Sequence, residues 1–163
     1  MNKKIILTLL FSVLCMNLMV AQVKIVCSSP GIEAKYKRAF IHGNTATIHF
    51  TLTNFTGADL NPYLTSSIGR FGGKSEAYDD EGNYYDVDHK KMEVRIADAT
   101  LVAQYYDEKF SFPDGVTVKG VVTIKNVDEY VTSFTRIVIT FRNFGPSGYE
   151  TITLKNIPLL RDF

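Results

Sequence analysis

Apolar and polar residues alternate with period two through most of the chain. In "TATIHFTLT", Ala46, Ile48, Phe50 and Leu52 fall on one face, and Thr45, Thr47, His49, Thr51 and Thr53 on the other. Successive strand side chains point to opposite sides, so this pattern predicts a strand with one face on a core. "MEVRIA" sets Met92, Val94 and Ile96 against Glu93 and Arg95. "VTVKGVVTIK" aligns Val116, Val118, Val122 and Ile124, with Gly120 in the same row. "RIVITF" sets Ile137, Ile139 and Phe141 against Arg136 and Thr140, and "ETITL" sets Ile152 and Leu154 against Thr151 and Thr153. Further strands are predicted at 32–41, 75–78, 84–87 and 106–112.

Turn-forming residues separate these segments: "HGN" at 42–44, "NFTGAD" at 54–59, "DDEGN" at 79–83, "FPDG" at 112–115 and "FGPSG" at 144–148. No window keeps a helical repeat. "NVDEYVTSF" at 126–134 comes nearest and predicts a short helical turn, with Asp128 and Glu129 in its first turn. About eight or nine short strands without intervening helices predict an all-β, antiparallel β-sandwich. A closed lipocalin-like barrel is the alternative, because patterning alone does not separate the two.

The first 21 residues read as an export signal. Lys3 and Lys4 precede an apolar run of about 16 residues, short of the roughly 20 that span a bilayer, and Ala21 offers a small residue for cleavage. Leu14 before Cys15 argues against lipidation of that cysteine. Residues 22–163 are then one domain, secreted or periplasmic, with no transmembrane segment after signal removal. Without Lys3 and Lys4 this part carries 16 basic and 17 acidic residues, a net charge of −1. That balance argues against nucleic acid as a partner, since tracking phosphates needs a basic stripe. The nearest basic group, Lys35, Lys37 and Arg38, reads as a solvated strand face. Cys27 is left alone after signal removal and reads as a small strand-end residue.

Four segments carry a resemblance. "IHFTLTN" is a strand ending in asparagine, and "YDDEGNYY" a strand–turn–strand with an acid, a glycine and an aromatic. "FPDGVTVKGVVTI" leads from a proline–glycine turn into a glycine-containing strand, and "FTRIVITF" is a late core strand. In this order they resemble a family of secreted bacterial immunoglobulin-like domains of unassigned function. The resemblance implies an immunoglobulin-like sandwich outside the cytoplasm and no particular activity. Unlike antibody domains, the chain has no tryptophan and no cysteine pair after signal removal.

The richest stretch for chemistry is "YDDEGNYYDVD", Tyr78 to Asp88, with five carboxylates around one glycine. With Gly82 as the turn glycine of a calcium loop, Ala77 occupies the first ligand position, so the helix–loop–helix pattern fails. A calcium site of another kind would use Asp79, Glu81 and Asp88. A hairpin explains more, because Gly82 supplies positive φ and Asp80 and Asn83 suit a turn. His42, His49 and His89 show no zinc spacing, and "GPSG" lacks the glycine spacing of a nucleophile elbow.

Eleven Phe and nine Tyr make the chain aromatic-rich. Tyr84–Tyr85 and Tyr105–Tyr106 are adjacent pairs, so one member of each should face outward, where tyrosine suits binding. Together these features predict a non-catalytic exported module binding a protein or glycan through loops or a tyrosine face. The alternatives are a small secreted hydrolase using dispersed carboxylates, or a carrier of an apolar ligand in a barrel.

Overall fold

A computed structural model describes residues 22–67, 73–102, 107–145 and 148–161. Thirteen strands are described. They are β1 (Lys24–Cys27), β2 (Ile32–His42), β3 (Thr45–Asn54), β4 (Tyr63–Thr65), β5 (Glu76–Asp79), β6 (Tyr84–Asp86) and β7 (Met92–Ile96). Then follow β8 (Ala99–Leu101), β9 (Asp107–Lys109), β10 (Thr117–Lys125), β11 (Ser133–Arg142), β12 (Tyr149–Pro158) and β13 (Leu160–Arg161). The segment around Asp128 is a turn, closed by Val131 N–H on Asp128 C=O, where the sequence predicted a helical turn. Asp128 serves the turn itself, accepting from the Tyr130 N–H through its carboxylate.

The strands form two sheets. The first runs β1-β12-β11, and the far edge of β11 is shared. One end of β11 pairs β5, which pairs β6; the other pairs β4, which pairs β9. The second runs β13-β2-β3-β10-β7-β8, antiparallel except for the parallel β13–β2 pair. Each sheet keeps its own edges, so the arrangement is sandwich-like, and barrel closure is not seen among the described residues.

The alternating faces meet between the sheets. Ile48, Phe50, Leu52, Val94, Ile96, Val122 and Ile124 from the second sheet are buried, as are Ile137, Ile139, Phe141, Ile152 and Leu154 from the first. At one end Phe112, Phe141 and Phe144 stack, with Phe141 and Phe144 ring centroids 4.2 Å apart. Asn54, at the end of β3, ties two loops there. Its amide donates to Ala58 C=O and Phe112 C=O, and its Oδ1 accepts from Thr56 N–H and hydroxyl. A buried amide with both ends satisfied fixes loop geometry that apolar packing alone leaves free.

Two bulges matter outside the core. In β2 the ladder steps from Tyr36↔Phe50 to Arg38↔His49, leaving Lys37 as the extra residue. Strict alternation would put Arg38 on Tyr36's core-packed face; the bulge turns Lys37 and Arg38 both to solvent. In β11 the ladder to β5 shifts between Phe134 and Arg136, so Phe134 is buried while Thr135 and Arg136 are exposed.

Candidate functional site: the outer face of the first sheet

The acid-rich stretch folds as the β5–β6 hairpin, with Gly82 at φ 85° in its turn. Its five carboxylates have separate places. Asp79 is buried and accepts from Glu81 N–H (3.0 Å), Asn83 N–H (2.8 Å), Asn83 Nδ2 (2.9 Å) and the Tyr85 hydroxyl (2.9 Å). Asp80 accepts from Thr132 and Ser133, tying the turn to the start of β11. Glu81 is exposed at the tip. Asp86 is buried and accepts from the backbone N–H of His89 and contacts its Nδ1 at 2.7 Å. Asp88 pairs with Lys74 at 3.6 Å, and its Oδ1 is buried with no hydrogen-bond partner among the described residues.

Asp79, Glu81 and Asp88, the candidate calcium set, are therefore not gathered. No group of three or more His, Cys, Asp or Glu side chains suited to a metal occurs among the described residues. Asp79 is turned inward because its acceptor sites organise the turn from inside.

The tyrosines divide as alternation requires. Tyr85 is buried in the core, edge-on to Phe134 with centroids 5.8 Å apart. That corrects its place in the predicted binding set, since the Asp79 carboxylate gives its hydroxyl a partner inside. Burial, and then the bond to Asp79, push its hydroxyl pKa well above the usual range. Tyr84 faces outward, half-buried. Its ring lies 5.2 Å from that of Tyr78, tilted by 52°, and its hydroxyl is 3.4 Å from Glu76 Oε2. Tyr105 and Tyr106 lie outside the described residues.

Tyr84 and Tyr78 end a longer row. Register places Lys24 opposite Lys155, Lys155 opposite Arg136, Arg136 opposite Tyr78 and Tyr78 opposite Tyr84. Five residues thus stand side by side across β1, β12, β11, β5 and β6. At one strand spacing per step the row is about 19 Å long. Lys24, Lys155 and Arg136 are exposed, and no carboxylate forms an ion pair with them among the described residues. Two hollows of about 320 and 290 Å³ adjoin the cationic part of the row and share Arg136, Thr151 and Thr153, making one shallow trough beside it that Tyr78 and Tyr84 do not line. It runs from Lys24 and Lys155 to Lys74 and Glu76.

Like charges directly opposite on neighbouring strands destabilise a sheet, by roughly 0.2–1 kcal/mol per pair on the scale of cross-strand effects. The Lys24–Lys155–Arg136 row holds two such pairs in succession. Sequence reading misses it because the three residues come from opposite ends of the chain; the only local signal is that each faces outward on its own strand. No helix among the described residues is long and apolar enough to cross a membrane. Comparison with protein-family models and with curated proteins finds no match for this chain.

Proposed function

We propose that this chain is an exported, non-catalytic binding module with an immunoglobulin-like sandwich, which holds an acidic glycan along the outer face of its first sheet. The observation that carries this reading is the row Lys24–Lys155–Arg136–Tyr78–Tyr84. A carboxylated or sulfated chain lying along it neutralises cations that otherwise repel one another. The apolar face of a sugar ring packs on the tyrosines, whose amphipathic rings suit a half-wet surface. Glu76 and the Tyr84 hydroxyl add polar partners for sugar hydroxyls. Export rests on the signal-like residues 1–21 and places the module where envelope glycans are.

The test is retardation of the purified protein in native gels containing polygalacturonate, neutral galactan or single-stranded DNA. Polygalacturonate is expected to retard it and galactan is not, with Lys155→Glu weakening binding at least tenfold and Tyr84→Ala weakening it less. Equal retardation by DNA would replace the glycan reading with phosphate tracking. Mobility unchanged in all three gels would sink the proposal.

A further inference from the structure

We propose that the outer face of the second sheet carries a separate site for a compact oxyanion-bearing ligand: a carboxylate, sulfate or phosphate on a small molecule of sugar size. The site is a groove of about 520 Å³ lined by Lys37, Arg38, His49, Thr51, Arg95 and Lys119. That volume is in the range of small-ligand pockets, roughly 300–1,000 Å³. It lies on the opposite face from the cation–tyrosine row and shares no residue with it.

Register builds the groove. Arg38 stands opposite His49, His49 opposite Val121 and Val121 opposite Arg95, in a line across β2, β3, β10 and β7. Lys119, opposite Thr51, stands in the next row on the same face. Arg38 and Arg95 thus begin about 14 Å apart, three strand spacings. In that line His49 and Val121 stand between them, and both arginines line the groove. The β2 bulge is what brings Lys37 and Arg38 to the rim together.

Three further observations favour an anion. Among the described residues no carboxylate forms an ion pair with Lys37, Arg38, Arg95 or Lys119. Of the nearby acids, Glu33 pairs with Lys35 at 3.0 Å, Glu93 stands in the adjacent row opposite Thr123, and Asp98, next to the groove-lining Ala97, is exposed and forms no ion pair with these cations. The Arg38 arm is also partly organised in advance. The Arg38 guanidinium sits 5.6 Å from the Phe40 ring centroid, and Phe40 stacks on His49 with centroids 5.7 Å apart and planes 19° apart. Ordering before binding lowers the entropic cost of holding a ligand. Finally, desolvation, and then the charges of Arg38 and Arg95, hold the His49 imidazole below its ordinary pKa. An anion between the arginines cancels that repulsion, so binding and protonation of His49 reinforce each other.

The groups around His49 are Lys35, Lys37, Arg38 and Phe40 from β2, Val121 and Lys119 from β10, Glu93 and Arg95 from β7, and Thr47 and Thr51 on its own strand. Among the described residues Glu93 is the one acid in these rows. His49 is thus a built-in reporter of the groove.

The experiment is an NMR pH titration of His49 in the full protein, at constant ionic strength, in chloride, in sulfate, with glucuronate and with glucose 6-phosphate. At least one oxyanion is expected to raise the His49 midpoint by half a pH unit or more over chloride. The probe that saturates at lowest concentration identifies the source: inorganic anion, uronate or phosphate ester. Arg95→Gln should raise the resting midpoint and abolish the ligand shift, while Lys155→Glu on the other face should change neither. A midpoint equal in all four solutions overturns the proposal, as does a shift that survives in Arg95→Gln. Loss of the shift in Lys155→Glu would overturn the independence of the two faces.

Discussion

The Tyr85 hydroxyl donates a 2.9 Å hydrogen bond to Asp79 Oδ2 from inside the core, and the same carboxylate holds the turn that follows. The acid-rich hairpin is therefore organised by one buried carboxylate and its donors. Tyr85→Phe should cost about 1.5–3 kcal/mol, the range for a hydrogen bond to a charged group, and Asp79→Ala more, since four donors lose their acceptor. Urea melts measure both. Melts of the unmodified protein in EDTA and in millimolar calcium should overlay; a midpoint raised by several degrees would mean preferential binding of calcium by the native state.

Gly120 and Phe50 are paired across β10 and β3, and the Phe50 ring fills the space where a side chain at 120 would stand. A Cβ at 120 would lie 2.2 Å from Phe50 Cζ. Gly120→Ala should destabilise by about 1–3 kcal/mol through overpacking. In Phe50→Leu the same substitution should cost clearly less. A double-mutant cycle reads this directly, and additivity within about 0.5 kcal/mol would refute the steric coupling.

Lys155 stands between Lys24 and Arg136, so neutralising it removes two repulsive pairs. Lys155→Thr should stabilise the protein by about 0.2–1 kcal/mol for each pair removed at low salt, with the gain shrinking as salt screens the charges. Polygalacturonate binding should fall in the same variant. A loss of stability instead would mean that the lysine is there for the sheet and not for a ligand.

Acid should weaken the fold through Asp86. Burial acts to raise its carboxyl pKa, but the backbone and ring of His89 and the Tyr84 hydroxyl outweigh it and hold the group below its ordinary value. The unfolded chain therefore takes up this proton first as pH falls. The stabilisation is present above about pH 4 and is lost as pH drops through the folded value. Stability measured from pH 7 to pH 3 should fall more steeply in the unmodified protein than in Asp86→Asn; parallel curves would refute the assignment.

Burial, with a smaller contribution from the Glu150 charge, pushes the Cys27 thiol up to about 11. The thiolate is the reactive form, so folded protein at pH 8 should alkylate at Cys27 roughly 100-fold more slowly than unfolded protein. Mass spectrometry of the Cys27 peptide after timed iodoacetamide pulses gives the ratio. Equal rates would show a thiol open to chemistry.

Much of the architecture was legible because strand alternation is local. Each of "TATIHFTLT", "MEVRIA" and "RIVITF" reveals its buried face in its own few residues, and Gly82 announces its turn by the backbone conformation that only glycine takes up freely. The same alternation separates outward Tyr84 from inward Tyr85, without saying which is which.

Which outward side chains become neighbours was decided by the tertiary structure. Lys24, Lys155 and Arg136 form a row only once β1, β12 and β11 pair, and that register is chosen by burying whole apolar faces, not by the charges themselves. Local sequence does not encode the bulge that exposes Arg38 beside Lys37, because a bulge is a mismatch between two strands. Nor does it reveal that Asp79 turns inward, since a carboxylate goes inside only where enough donors are already assembled to hold it. Strand identity is a property of short segments, whereas both candidate sites belong to the pairing of distant ones.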